Sequence, residues 1–147
     1  MIQDPENIYQ EYKMKRVEER EWIVKLLFQH DFNEIDLDNI DSILEHNNLS
    51  KSIFIRESLE SIIKNIDKID DYISKYVDDN RLKNILPIER SILRVSINEF
   101  VIMKNVPVSV SINEAVKISK KYSNENSYIF INGVLSSIAK SLEKQNE

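Results

Sequence analysis

The side chains that could do chemistry in this chain are mostly cations. Arg90 and Arg94 stand four residues apart, so on a helix they share one stripe, and Glu89 precedes them where a first turn favours a carboxylate. Two like charges held together read as a site awaiting an anion, and equally as two ordinary solvated arginines. A second group, Lys13, Lys15, Arg16 and Arg20, is flanked by Tyr9, Tyr12 and Trp22, a mixture suited to phosphate contact and base stacking. Glu11, Glu18, Glu19 and Glu21 interleave with it and weaken it, and the aromatic residues also read as core.

Catalytic chemistry finds little to work with. His30 and His46 are the two imidazoles, neither lies in a metal motif, and His30-Asp31 are neighbours that do not face each other on a helix. A phosphate-cradling loop needs several glycines, and the chain has one, Gly133. The absence of cysteine excludes disulfides, cysteine-ligated zinc, iron–sulfur clusters and thiol catalysis. The expectation is a binding protein with no catalytic residues, no cofactor and no metal.

Composition bounds the partners. At 147 residues the chain makes one domain, able to bury roughly 68–70% of the surface its unfolded form exposes. Its net charge of −5 is unevenly spread: residues 1–80 hold 10 basic and 19 acidic side chains, residues 81–147 hold 10 and 6. A basic second half can bind a polyanion locally despite the acidic total. The N-terminus has neither a basic start nor an apolar stretch, and no run approaches the ~18 apolar residues of a membrane helix, so a soluble cytoplasmic protein is expected.

The elements that must hold these residues are helices. Asp4-Pro5 reads as a cap and first helical position, and Ile8, Tyr9, Tyr12, Val17, Ile23, Leu26 and Leu27 carry a stripe toward Phe28, as one long helix or two abutting ones. Ile40, Ile43 and Leu44 mark a short helix ending at Asn47-Asn48, and Ile53 to Ile73 a longer one fading at Asp78-Asp79-Asn80. A turn-like piece over Arg81 to Leu86 leads to Pro87, which opens a helix closed by Lys104-Asn105. Ser111-Ile112-Asn113-Glu114 reads as a capping box for a helix running to about Tyr122. After a polar loop at Asn124 to Ser127, Ile131, Leu135, Ile138 and Leu142 form a last amphipathic helix. No period-two alternation appears, and the pattern predicts an all-α fold of about six to seven helices, one domain with helical lobes over about 1–80 and 81–147. Gly133, inside a helical pattern where glycine costs roughly 0.5–1 kcal/mol relative to alanine, is expected where another backbone or a ligand comes too close for a side chain. Asn113, Glu114 and Asn132 read as structural residues serving caps and inter-helix hydrogen bonds.

Several segments together resemble the NusB family of bacterial transcription antitermination factors. They are Ile92-Leu93-Arg94-Val95, the following Glu99-Phe100, Val106-Pro107, Ile112-Asn113-Glu114-Ala115-Val116, and Phe130-Ile131-Asn132-Gly133-Val134-Leu135. The likeness is strong over Leu86 to Ala139 and weaker over Arg20 to Phe28. It implies an all-helical, two-lobed fold and a non-enzymatic role: binding the boxA element of ribosomal RNA leader transcripts together with NusE, and so acting indirectly on RNA polymerase. The resemblance places RNA contacts at Lys15, Arg16 and Arg20, with Asn126 and Phe130 near the RNA, and NusE contacts at Glu89 and Phe28. Lys13, Arg90 and Arg94 join the RNA-binding candidates on charge. Glu18 and Glu19 depart from the family's arginine cluster, which leaves a second reading open: a helical interaction module that binds NusE or self-associates, as a homodimer, with little RNA affinity of its own. A third, the RNA-binding appendage of a ribosomal RNA methyltransferase, would need an α/β cofactor domain for which this sequence has no room.

Overall fold

The computed structural model describes residues 14–145; the expected cap at Asp4-Pro5, and Lys13, lie outside them. Among the described residues there are eight α-helices and no strand. They are α1 (Arg16–His30), α2 (Ile40–His46), α3 (Ile53–Lys64), α4 (Ile66–Tyr76), α5 (Asp79–Lys83), α6 (Pro87–Ile97), α7 (Val108–Tyr122) and α8 (Ser127–Gln145), with a π-helical segment, Asn98–Met103, continuing α6.

The helix count exceeds the expected six to seven at two places. The stripe from Ile53 to Ile73 is broken at Asn65, whose side-chain amide donates back to the Ser61 carbonyl at 2.7 Å. Asparagine competes in this way with the helical backbone ladder, and the chain restarts at once as α4. The piece around Arg81 is a short helix because the Asp78 carboxylate accepts the Arg81 N–H at 2.9 Å, capping it.

α6 sits at the centre and packs against α1, α4, α7 and α8. Pro87 starts it, and Glu89 and every residue from Ser91 to Ile97 are buried, the signature of a helix enclosed all round. The π turn adds a residue to the helical cycle, so that Asn98, Glu99, Phe100 and Val101 all stay inside in succession. Lys104, in the left-handed conformation at φ 53°, then ends the segment. Buried side chains from both halves of the chain join one cluster, among them Ile23, Leu27 and Leu59 with Leu93, Ile97, Ile131 and Leu135.

Two local expectations are corrected. α7 begins at Val108, directly after Pro107, whose fixed φ suits the entry. Ser111 therefore lies inside the helix, fully buried, with its hydroxyl on Glu99 rather than on a capped N–H. Gly133 meets no close neighbour among the described residues: a Cβ built on it finds nothing within 4 Å, and it is exposed on α8 with an ordinary helical φ. Close backbone packing is thus not its reason. Gly133→Ala should raise stability by about 0.5–1 kcal/mol through helix propensity alone, read as a higher Tm. A fall in Tm would bring back the close approach. No described helix is long and apolar enough to cross a membrane.

Candidate functional site

Two arginines are spent inside the fold. Arg20, 4% exposed, donates from Nε to Glu99 Oε2 at 2.9 Å, with Nη2 also 2.9 Å from that oxygen and Nη1 3.9 Å from Glu114. The Glu99 carboxylate, carried inward by the π turn, also accepts the Ser111 hydroxyl at 2.8 Å. Burial pushes the Glu99 carboxyl above its ordinary value, while the Arg20 charge and the Ser111 hydrogen bond pull the other way. Arg94 is 5% exposed and grips both oxygens of Asp70 at 2.9 Å, with Asp31 on its third nitrogen at 3.0 Å. Burial works against its charge, but the two carboxylates more than offset that and hold the guanidinium above its ordinary value. It ties α6 to α4 and to the end of α1.

The third cluster centres on Glu89, fully buried at the start of α6. Its carboxylate accepts the Leu86 N–H at 2.9 Å, Arg81 Nη2 at 2.7 Å and the Ser127 hydroxyl at 2.8 Å. Arg81 in turn lies over the Phe130 ring at 3.8 Å.

These placements correct part of the expected site. Arg20 and Arg94 face carboxylates rather than solvent, so neither is available to a phosphate, and Arg90 and Arg94 do not form an exposed pair. Glu89 is inside, out of a partner's direct reach. The spacing that suggested function is here the spacing of internal ion pairs, whose acidic members lie up to 79 residues away in sequence. Glu114 belongs to the Arg20 cluster instead of a helix cap, while Asn113 and Asn132 are exposed on α7 and α8.

What stays outside is narrower. Lys15 and Arg16 are exposed at the start of α1, Arg16 stacked on Phe54 at 3.8 Å. Arg90 is half-buried. Asn126 is exposed beside an open cleft of about 530 Å³, which Arg81 also lines; Phe130 is half-buried beneath Arg81. The structure thus brings Glu89, Asn126 and Phe130 around Arg81. Phe28, 37% exposed, meets Phe32, 70% exposed, with ring centroids 5.3 Å apart at the end of α1, and Leu37 nearby in sequence is half-exposed.

The sequence reading missed Arg81, Phe54 and a cation–aromatic face between α1 and α7. There Lys25 lies over Trp22 and Tyr122, Lys121 pairs with Glu21 at 3.0 Å, and Lys120 lies over Tyr128. Burial raises the Glu21 carboxyl, but hydrogen bonds from Lys121 and Tyr122 outweigh it and hold the carboxyl below its ordinary value. The doublet Lys120-Lys121 before Tyr122 was the available signal. Among the described residues no group of histidines and carboxylates could hold a metal ion.

A model of the NusB family matches residues 17–140 of the chain. The transcription antitermination protein NusB of Thermodesulfovibrio yellowstonii is 36% identical over 144 residues, covering 86% of this chain and 93% of that protein. The NusB of Clostridium perfringens is 36% identical over 135 residues, 88% of this chain and all of that protein. Among solved structures, T. maritima NusB superposes with a TM-score of 0.76 at 36% identity, covering 88% of this chain and 93% of that one. A structure of the antitermination factors NusB and NusE in complex with double-stranded RNA shares the fold, with a TM-score of 0.73 at 23% identity, over 87% of this chain and 99% of that one.

Proposed function

This chain belongs to the NusB family, a family of transcription antitermination proteins, and from that premise we propose that it binds boxA elements of ribosomal RNA leader transcripts together with NusE. It acts by binding, without catalysis, in the cytoplasm, and reaches RNA polymerase through the complex it joins. The observation that carries the RNA reading is the start of α1. Lys15 and Arg16 project there, Arg16 over the Phe54 ring with more than half of its side chain open, and Lys15 supplies no side-chain cap. Cations beside a helix N-terminus favour a phosphate twice over, by charge and by the helix dipole. The exposed Phe28 and Phe32 rings, with Leu37, suit the protein partner.

The acidic residues of α1 favour the alternative of an interaction module less than their number suggests. Glu19 is turned to Ser52 and to Arg16, and Glu21 to Lys121 and Tyr122, so both are partly neutralised within the fold. Fluorescence anisotropy of a labelled boxA RNA, with and without NusE at ~50 and ~200 mM salt, tests the reading. Affinity should fall with salt, by a slope near 0.7 per phosphate neutralised on a single strand, and rise with NusE. Lys15→Ala with Arg16→Ala should reduce that slope by about 1–1.5. Folded protein that binds NusE but no RNA selectively would leave the interaction module.

A further inference from the structure

We infer that His30 and Asp31 are positioning residues for the protein partner: together they fix the turn that carries Phe32, so that its ring stands beside Phe28 before the partner arrives. This rests on the reading that NusE docks on that aromatic edge, and adds to it the residues that hold the edge in shape. The two neighbours close α1, and each takes a different partner. His30 Nδ1 accepts the Ile35 N–H at 2.8 Å, and Ile35 is anchored in the buried cluster. Asp31 Oδ1 accepts Arg94 Nη1 at 3.0 Å, and Arg94 is itself held by both oxygens of Asp70. In sequence Phe32 falls between Asp31 and Ile35, the two tied points. Its own N–H and that of Asn33 both donate to the Gln29 carbonyl, at 2.9 and 2.8 Å.

The fold gains little of its own from this order. Phe32 is 70% exposed and stands outside the buried cluster, so fixing it buries little apolar surface among the described residues. Surface loops are ordinarily mobile, yet the tying continues past Ile35. Asn39 Oδ1 accepts the Asp36 N–H at 2.9 Å, Asp36 Oδ1 accepts the N–H groups of Asp38 and Asn39 at 3.0 Å, and Leu37 stands half-exposed between them. What such order saves is the entropy otherwise lost on association, roughly two- to tenfold in affinity for each side chain already in place. Glu34, Asp36 and Asp38 are exposed and flank Leu37 in sequence. Carboxylates beside apolar side chains fit a partner surface that sets apolar groups among cations.

Calorimetric titration with NusE, with Tm measured on every variant, tests this. Phe32→Ala should weaken NusE by about tenfold or more, as for an aromatic anchor. His30→Ala and Asp31→Ala should each weaken it about two- to tenfold, because the turn must then be ordered on binding. Neither should have a further effect once Phe32 is alanine, the mark of residues that act through the ring. His30→Asn places an acceptor near the position of Nδ1, and Asp31→Asn keeps the acceptor without the charge, so both should regain most of the affinity. A merely structural role would lower Tm and leave the NusE affinity of the folded protein unchanged, and that result overturns the proposal. So does a loss that adds to that of Phe32→Ala, or one that Asp31→Asn fails to rescue, since either makes these side chains direct contacts. Equal NusE affinity in all five variants would take this turn out of the interface and leave NusE as the partner. No NusE binding by the wild-type protein would overturn both.

Discussion

Arg20→Ala is expected to lower the free energy of unfolding by about 3–5 kcal/mol, the range for removing one partner of a buried ion pair. The estimate sits high in that range because the acid left behind has nowhere to go: Glu99 is 1% exposed, and with Arg20 gone Ser111 is the hydrogen-bond donor that remains to it among the described residues. Urea titrations at several pH values separate this from other causes. In the wild type, burial already holds the Glu99 carboxyl above its ordinary value, so the folded state binds its proton more readily than the unfolded chain does. That contribution is fully present below the unfolded value and is lost as pH rises through the lifted one. Removing Arg20 takes away a charge that pulled the carboxyl down, lifting it further. The penalty should therefore be largest near neutral pH and shrink on acidification, as Glu99 takes up a proton and no longer needs a cation. Arg20→Met with Glu99→Gln should recover part of the loss at neutral pH. Unchanged stability with weakened RNA binding would instead make Arg20 a phosphate contact.

Arg20 also shows where the sequence is legible and where it stops. Helical periodicity reports which positions face inward, and it located the buried stripe of α6, the end of α7 at Tyr122 and the last helix. It does not report what a charged residue faces. Arg20 lies among exposed-looking cations and glutamates, yet its partner is 79 residues away and reaches it through a π turn that leaves no mark on an apolar stripe. Arg94 is the same case, paired with Asp70 and Asp31 from two other helical segments. Family likeness points to the motif around Arg94 without giving its role, and a clasp inside the fold explains that motif as well. Gly133 erred in the opposite direction: rarity suggested crowding, and the described residues leave open space there. Phe28, by contrast, needs no distant partner to be understood, since it falls at the edge of the α1 stripe, and it is exposed.

Glu89→Ala should be the second costly substitution, at about 3 kcal/mol. Glu89 accepts from Leu86, Arg81 and Ser127 together, joining the starts of α6 and α8 to α5 while being fully buried. Losing it leaves the first turn of α6 without its side-chain acceptor and Arg81 without its carboxylate. The penalty falls at the low end for a broken buried pair because Arg81 is a third exposed and can regain water, and Ser127 keeps Asn124 and Ser123 as partners. Arg81, no longer anchored, would lose its place over Phe130. Glu89→Gln keeps an acceptor for the Leu86 N–H and should cost less stability, although the amide holds the guanidinium more weakly. Calorimetric unfolding and NusE titration on both variants decide between this and a direct role in the NusE contact. A direct contact would lower NusE affinity with little change in Tm. A buried clasp lowers Tm first and leaves NusE binding to the folded protein intact.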